Sequence, residues 1–265
     1  MLISLLLSVA AFSANQGSAV RLTIPNEPGI KSVEVVWDKK KVPAFLVNDV
    51  WITILGVDLD TKPGSHTAEI LLTMNDGRKD EREEVVQVVA KKYPTTELTV
   101  EDKYVELSKV DLARANRESK ETATIYARIT DELLWKQPFS VPIAGETGTN
   151  FGHRRVFNGE PRAPHAGADL RAKTGTPIHA TNRGRVVLAK SLFFTGNTVI
   201  LDHGLGIYSL YAHLSRIDVK VGDIINNGQR VGLSGATGRV TGPHLHWGMV
   251  VQGARVDPFT LVNLN

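Results

Sequence analysis

A chain of 265 residues is long enough for two modest domains with separate cores, and equally for one. Its 42% hydrophobic and 22% charged residues match an ordinary globular protein and exclude a disordered chain or a polytopic membrane protein. With no cysteine, disulfides, thiolate ligands and cysteine nucleophiles are excluded together, so any transition-metal site has to use His and carboxylate. The formal charge of +3 is split, with residues 1–136 summing to −3 and residues 137–265 to +6. A mildly basic second half suits an anionic polymer through long-range attraction, or is a solvated surface with no such partner. It lacks the clustered Arg/Lys stripe with interleaved aromatics of a nucleic-acid binder, so no nucleic acid is expected as a partner.

In chain order, Met1 to Ala14 is an apolar run too short to span a bilayer but suited to the core of a signal peptide, with small residues after it. The expected leader covers 1–19, cleaved near Ser13 or Ala19, although no Lys or Arg precedes the run. The alternative is a first buried strand. No other segment is suited to crossing a membrane, so the mature protein is expected to have no stable span.

Residues 20–92 alternate short apolar runs with turn residues: Val33 to Trp37, Val50 to Leu55, Ala68 to Thr73 and Glu84 to Val89. β-branched and aromatic residues dominate them, which predicts an Ig-like β-sandwich with Trp37 and Trp51 as core anchors. Residues 93–137 form a linker. Within it, about Lys109 to Leu134 is rich in Ala, Glu, Lys and Arg and predicts a connecting helix with a solvated charged face.

Residues 138–265 return to frequent Gly and short strands: Val186 to Ala189, Asn197 to Asp202, Ile207 to His213 and His244 to Val250. The fold class expected is therefore mainly β, with an antiparallel sheet at the C-terminal end.

Seven of the eight histidines lie beyond residue 150. His165-Ala-Gly-Ala-Asp169 sets an imidazole and a carboxylate four residues apart across a Gly-containing turn, which can fold both onto one metal ion. In a strand, His244 and His246 point to the same face, so one can bind metal while the other faces the same open position. His213 ends a third strand, whose alternation can direct it into the same groove. Catalytic zinc commonly takes three protein ligands and keeps the fourth position for water, and two His with one Asp satisfy that count.

His165-x-x-x-Asp169, Tyr211-Ala-His213-Leu and Gly242-Pro-His244-Leu-His246 resemble, in order and spacing, the lysostaphin/LytM-type (M23) metallopeptidases. Phe151-Gly-His-Arg154, Gly175-Thr-Pro177, Gly184-Arg-Val186 and Ser234-Gly-Ala-Thr-Gly238 extend the likeness over about residues 138–260. The resemblance implies a LytM-like peptidase domain of the duplicated hybrid motif type, holding one Zn2+ through His165, Asp169 and His246. It implies that His213 and His244 are the catalytic pair, with the general-base and oxyanion roles undivided between them. It also implies peptidoglycan as partner and substrate, cleaved in stem or cross-bridge peptides, and a periplasmic or secreted location. A non-catalytic wall-binding or amidase-activating module is the alternative use of such a fold.

One departure is Trp247-Gly248, where many members have an aromatic followed by Glu, which puts the outer support of His246 in question. His153 is a candidate substrate-side residue, and one of Phe193 and Phe194 is expected to line the groove. His66, His179 and His203 are expected to be structural or surface residues, and the glycines from Gly232 to Gly242 to shape a rim.

Overall fold

The computed structural model describes residues 12–98, 107–135, 138–145, 149–161 and 163–264. The apolar run expected to lead the chain lies outside them as far as residue 11. The N-terminal strands are β1 (Phe12–Asn15), β2 (Ser18–Pro25), β3 (Ile30–Trp37), β4 (Lys40–Pro43), β5 (Phe45–Val47), β6 (Val50–Val57), β7 (Gly64–Met74) and β8 (Lys79–Val89). They form a five-stranded sheet in the order β1-β8-β7-β3-β4 and a three-stranded sheet in the order β2-β6-β5. Period-two alternation aims Val33, Val35, Trp37, Ile70 and Leu72 at Leu22, Leu55 and Val57, so both sheets close over one core. Among the described residues Phe12 is already paired, inside the span expected for the leader, with β1 running parallel to β8.

β6 is apolar without alternation because both of its faces are covered. Trp51, Leu55 and Val57 face the first core, while Ile54 belongs to the core of the C-terminal half. The junction is close: a Cβ on Gly56 would lie 2.5 Å from the Val251 carbonyl oxygen and 2.8 Å from Ala254 Cβ. Gln252 donates through Nε2 to the carbonyls of Ile54 and Leu205, and Arg255 forms a two-pronged ion pair with Asp58.

β9 (Thr95–Leu98) leads to α1 (Lys109–Tyr126), which is capped by the Ser108 hydroxyl accepting from the Asp111 N–H. The helix stops eight residues before the predicted Leu134. Carbonyls beyond its end are claimed by the sheet: Tyr208 donates to Arg128 O and the Leu205 N–H to Thr130 O. None of the described helices is long and apolar enough to cross a membrane.

The C-terminal half contains β10 (Arg154–Phe157), β11 (Glu160–Pro161), β12 (Ala168–Arg171), β13 (Pro177–His179), β14 (Gly184–Leu192), β15 (Gly196–Gly204) and β16 (Ile207–Leu214). β17 (Arg216–Ile217), β18 (Ile224–Ile225), β19 (Arg230–Leu233), β20 (His244–Val251), β21 (Ala254–Val256) and α2 (Pro258–Val262) follow. Its main sheet, β12-β20-β16-β15-β14-β18 with β21 on β20, is antiparallel throughout. Leu170, Tyr211, Leu245 and Trp247 fill its inner face.

His203 is fully buried in that sheet, where Nδ1–H donates to the Arg183 carbonyl and Nε2 accepts from the Ser209 hydroxyl. It is a core histidine, as its position outside any motif suggested.

Two outcomes follow from this packing. Gly56→Val is expected to cost about 1–3 kcal/mol by overpacking the junction, read as a lower denaturation midpoint. Burial pushes the His203 imidazole down to about 4, below its unfolded value near 6.5. The unfolded chain therefore takes up the proton first, and the stabilisation is complete above pH ~6.5 and lost as pH falls through ~4. The metal-free protein should melt at lower temperature across that window, and His203→Gln should flatten the slope.

Candidate metal centre

β12 is the edge strand of the main sheet, and its register against β20 sets the site. Ala168 stands opposite Trp247, Asp169 opposite His246, Leu170 opposite Leu245 and Arg171 opposite His244. Ala168, Leu170, Leu245 and Trp247 are fully buried on the core side. Asp169, His244 and His246 therefore project together from the other face. The turn through Ala166 and Gly167 returns His165 over them. A Cβ on Gly167 would come within 2.9 Å of His246 Nε2 and 2.6 Å of the Trp247 carbonyl oxygen, so that position takes glycine.

His165 Nε2, Asp169 Oδ1 and His246 Nδ1 converge. The carboxylate oxygen lies 3.0 Å from the first nitrogen and 2.9 Å from the second, and the nitrogens are 3.0 Å apart. Protons can satisfy at most two of these contacts, and both must then point at the carboxylate, which leaves two N–H donors facing each other at 3.0 Å. These three atoms would hold a divalent cation such as zinc, which would satisfy their lone pairs together. Among the described residues these three form the one group of His and carboxylate atoms placed to hold a metal, within 4.8 Å of one another.

Burial pushes the Asp169 carboxyl upward, but the His165 and His246 imidazoles set against it override this and hold the group well below the usual carboxylate range. Burial likewise lowers His246 despite the carboxylate beside it. Both directions favour the ligand forms, anionic carboxylate and neutral imidazole.

The other two histidines present matching nitrogens. His244 Nδ1–H donates to the Gly242 carbonyl at 2.9 Å, and its Nε2 lies 3.6 Å from Asp169 Oδ1. His213 Nδ1–H donates to the Thr237 carbonyl at 2.9 Å, and its ring centroid is 4.9 Å from that of His244 and 5.9 Å from that of His246. Each ring is thereby fixed with the lone pair on Nε2. Burial lowers His213 to about 4, so it is neutral near pH 7.

Strand alternation does not deliver His213, contrary to expectation. Tyr211 pairs with Trp247 on the core side and Ala212 with His246 on the groove side, so strict alternation would turn His213 into the core. A bulge intervenes: Asn197 pairs with Leu214 and Val199 with Tyr211, so Ala212 and His213 together oppose Thr198. His213 takes φ of 61° there, held by its N–H on the Thr195 carbonyl, and this left-handed turn swings the ring to the groove.

The remaining candidates separate. His153 Nε2 contacts Thr96 Oγ1 at 2.8 Å, and its main chain pairs with Asn150 and His165. His179 donates its N–H to the Pro142 carbonyl, and half-buried His66 sets Nε2 against the Lys62 carbonyl with its ring 6.2 Å from that of Trp37. Phe194 is the exposed member of its pair and lines a groove with His246, Leu210 and α1, while Glu118 of α1 accepts the Phe193 N–H. Trp247 packs edge-on to Phe259, and Gly248 leaves the groove open beside Leu210. Reading from motifs missed Asn150, Thr195 and Thr237, which hold the site's side chains; the Asn directly before Phe151-Gly was the available signal.

The model of peptidase family M23 matches residues 163–258. Peptidoglycan DD-endopeptidase ShyA of Vibrio cholerae is 42% identical over 122 residues, which is 46% of this chain and 28% of that protein. An uncharacterized metalloprotease of Haemophilus influenzae is 39% identical over 113 residues, 42% of this chain and 24% of its own. The chain thus matches less than a third of the length of these curated relatives. A crystal structure of a putative peptidase M23 from Pseudomonas aeruginosa superposes with TM-score 0.66 at 30% identity, over 91% of this chain and 92% of that one. With motif, site and whole-chain architecture in agreement, the chain is a member of peptidase family M23.

Proposed function

We propose that the chain is a zinc-dependent endopeptidase that hydrolyses peptide bonds in the stem or cross-bridge peptides of peptidoglycan, working in the periplasm or outside the cell. The observation that carries this reading is the convergence of His165, Asp169 and His246 on one point, with His244 and His213 ring nitrogens fixed beside it. The relatives' names point the same way: ShyA is a peptidoglycan endopeptidase and the Haemophilus protein a metalloprotease. The mildly basic C-terminal half suits an anionic wall polymer.

In this reading His165 Nε2, Asp169 Oδ1 and His246 Nδ1 hold one Zn2+. When bound, zinc supplies Lewis-acid polarisation of the scissile carbonyl and brings the pKa of water towards about 7. His213 and His244 turn their Nε2 atoms towards the ligand set, because the Nδ1–H of each is engaged by a main-chain carbonyl. Between them they take up the proton of the attacking water at Nε2, and the N–H so formed can donate to the developing oxyanion before it passes to the leaving amine. The bulge at His213 and the Gly242 carbonyl behind His244 are what orient these rings. The Gly248 departure removes a side chain from the groove, and Gly167 packed against the imidazole supports His246.

The same reading keeps the partition sketched by the sequence: a sandwich, a helical linker and a peptidase unit. An Ig-like assignment of the sandwich is supported by its strand order, in which the second, sixth and fifth strands pair in one sheet and the third, seventh and eighth in the other.

Three measurements test the proposal. His246→Ala is expected to lose zinc and activity together, read by metal analysis and turnover. His213→Ala and His244→Ala are expected to keep stoichiometric zinc and lose roughly 100-fold or more in kcat. Purified sacculi digested with and without a chelator should release new termini, identified by mass spectrometry, only when metal is present. Full turnover by the chelated protein overturns the reading; zinc binding without release of any peptide leaves a wall-binding module instead.

A further inference from the structure

We propose that Asn150 is the positioning residue of the metal site, a single residue whose side chain sets Asp169 and whose main-chain carbonyl sets His165; this rests on the zinc reading above. Its amide Nδ2–H donates to Asp169 Oδ2 at 3.1 Å, and its Oδ1 accepts from the Asp169 main-chain N–H at 2.8 Å. Its own carbonyl receives His165 Nδ1–H at 3.3 Å. The three contacts address the three things that a ligand set has to have decided: which carboxylate oxygen is free, where the carboxylate's strand lies, and which imidazole nitrogen carries the lone pair.

Each contact has a chemical consequence. With Oδ2 engaged by the amide, Asp169 presents Oδ1 alone to His165 and His246. A neutral donor does this without adding a second negative charge. β12 is the sheet edge, so the Asp169 N–H points away from β20 and finds its acceptor in Asn150 instead of a neighbouring strand. The hydrogen bond at His165 Nδ1 places the lone pair on Nε2, the atom that faces the cluster.

The turn that carries Asn150 is itself anchored. Gly152 N–H donates to the His165 carbonyl, His165 N–H to the His153 carbonyl, and His153 N–H back to the Asn150 carbonyl. Phe151 is buried edge-on to Tyr93, and Gly152 has φ of +76° with the Tyr93 ring where a Cβ would be. The segment is therefore set against the sandwich side of the molecule while its asparagine reaches into the site.

The experiment measures zinc affinity of the full chain by competition with a chromophoric chelator, and melting of the metal-free protein. Four proteins are compared: wild type, Asn150→Ala, Asn150→Leu, which keeps the bulk without the polar atoms, and Thr149→Ala, which removes the Thr149 hydroxyl that accepts the Phe151 N–H but touches no ligand. Both Asn150 variants are expected to bind zinc about 10–100-fold more weakly, with Thr149→Ala close to wild type. Asn150 variants with wild-type zinc affinity overturn the proposal, as does an equal loss in Thr149→Ala, since the turn alone would then be responsible. A wild-type chain that takes up no zinc overturns the zinc reading itself, and is distinguished by needing no variant to reveal it.

Discussion

The pairing of β12 with β20 is the constraint on which the rest of the site depends. Only when Asp169 stands opposite His246 do a carboxylate and an imidazole from strands distant in sequence meet on one face. The register is enforced from the other face, where Ala168, Leu170, Leu245 and Trp247 are withdrawn from water. A one-residue slip would exchange the faces, exposing Leu245 and Trp247 and burying Asp169 and both histidines. At ~1.5–3 kcal/mol for each large side chain, core burial makes such a slip prohibitive against a total stability of ~5–15 kcal/mol. The site's geometry is thus set by the hydrophobic core behind it.

That dependence explains what could be read from the sequence. His244 and His246 sit two apart in an apolar strand, and period two alone puts them on one face, as found. The His165 and Asp169 pair was legible once a turn glycine stood between them. His213 was legible as a member of the site but not by the mechanism expected, because the bulge depends on how β15 meets β16 and leaves no local pattern. Asn150 carried only its place directly before Phe151-Gly as a signal, for a related reason: its importance comes from the outer edge of β12, a property of the sheet and not of its own segment.

The fold shows the same division between local and tertiary signals. The N-terminal strands follow their β-branched alternation, and β6 betrays its two covered faces through a run that is apolar except for Thr53. The end of α1 does not follow composition, since residues 127–134 keep helix-forming character. There the sheet captures the carbonyls of Arg128 and Thr130 and pairs the Leu134 N–H with the His203 carbonyl. Glu132 passes so close that a Cβ on Gly204 would overlap its carbonyl oxygen. Intrinsic propensity spans less than ~1 kcal/mol per ordinary residue, so a few tertiary hydrogen bonds outweigh it.

The centre also carries local strain of its own. Three ligand atoms crowd together at about hydrogen-bond distance with one N···N contact unsatisfied, and His213 occupies a left-handed conformation that costs about 1–3 kcal/mol in a residue with a Cβ. Neither feature helps the metal-free chain to fold. Both persist because the surroundings overdetermine them: Thr195 and Thr237 carbonyls hold His213, and Asn150 holds Asp169 and His165. At this centre local rules are broken where a cation and a reacting peptide would supply the missing partners.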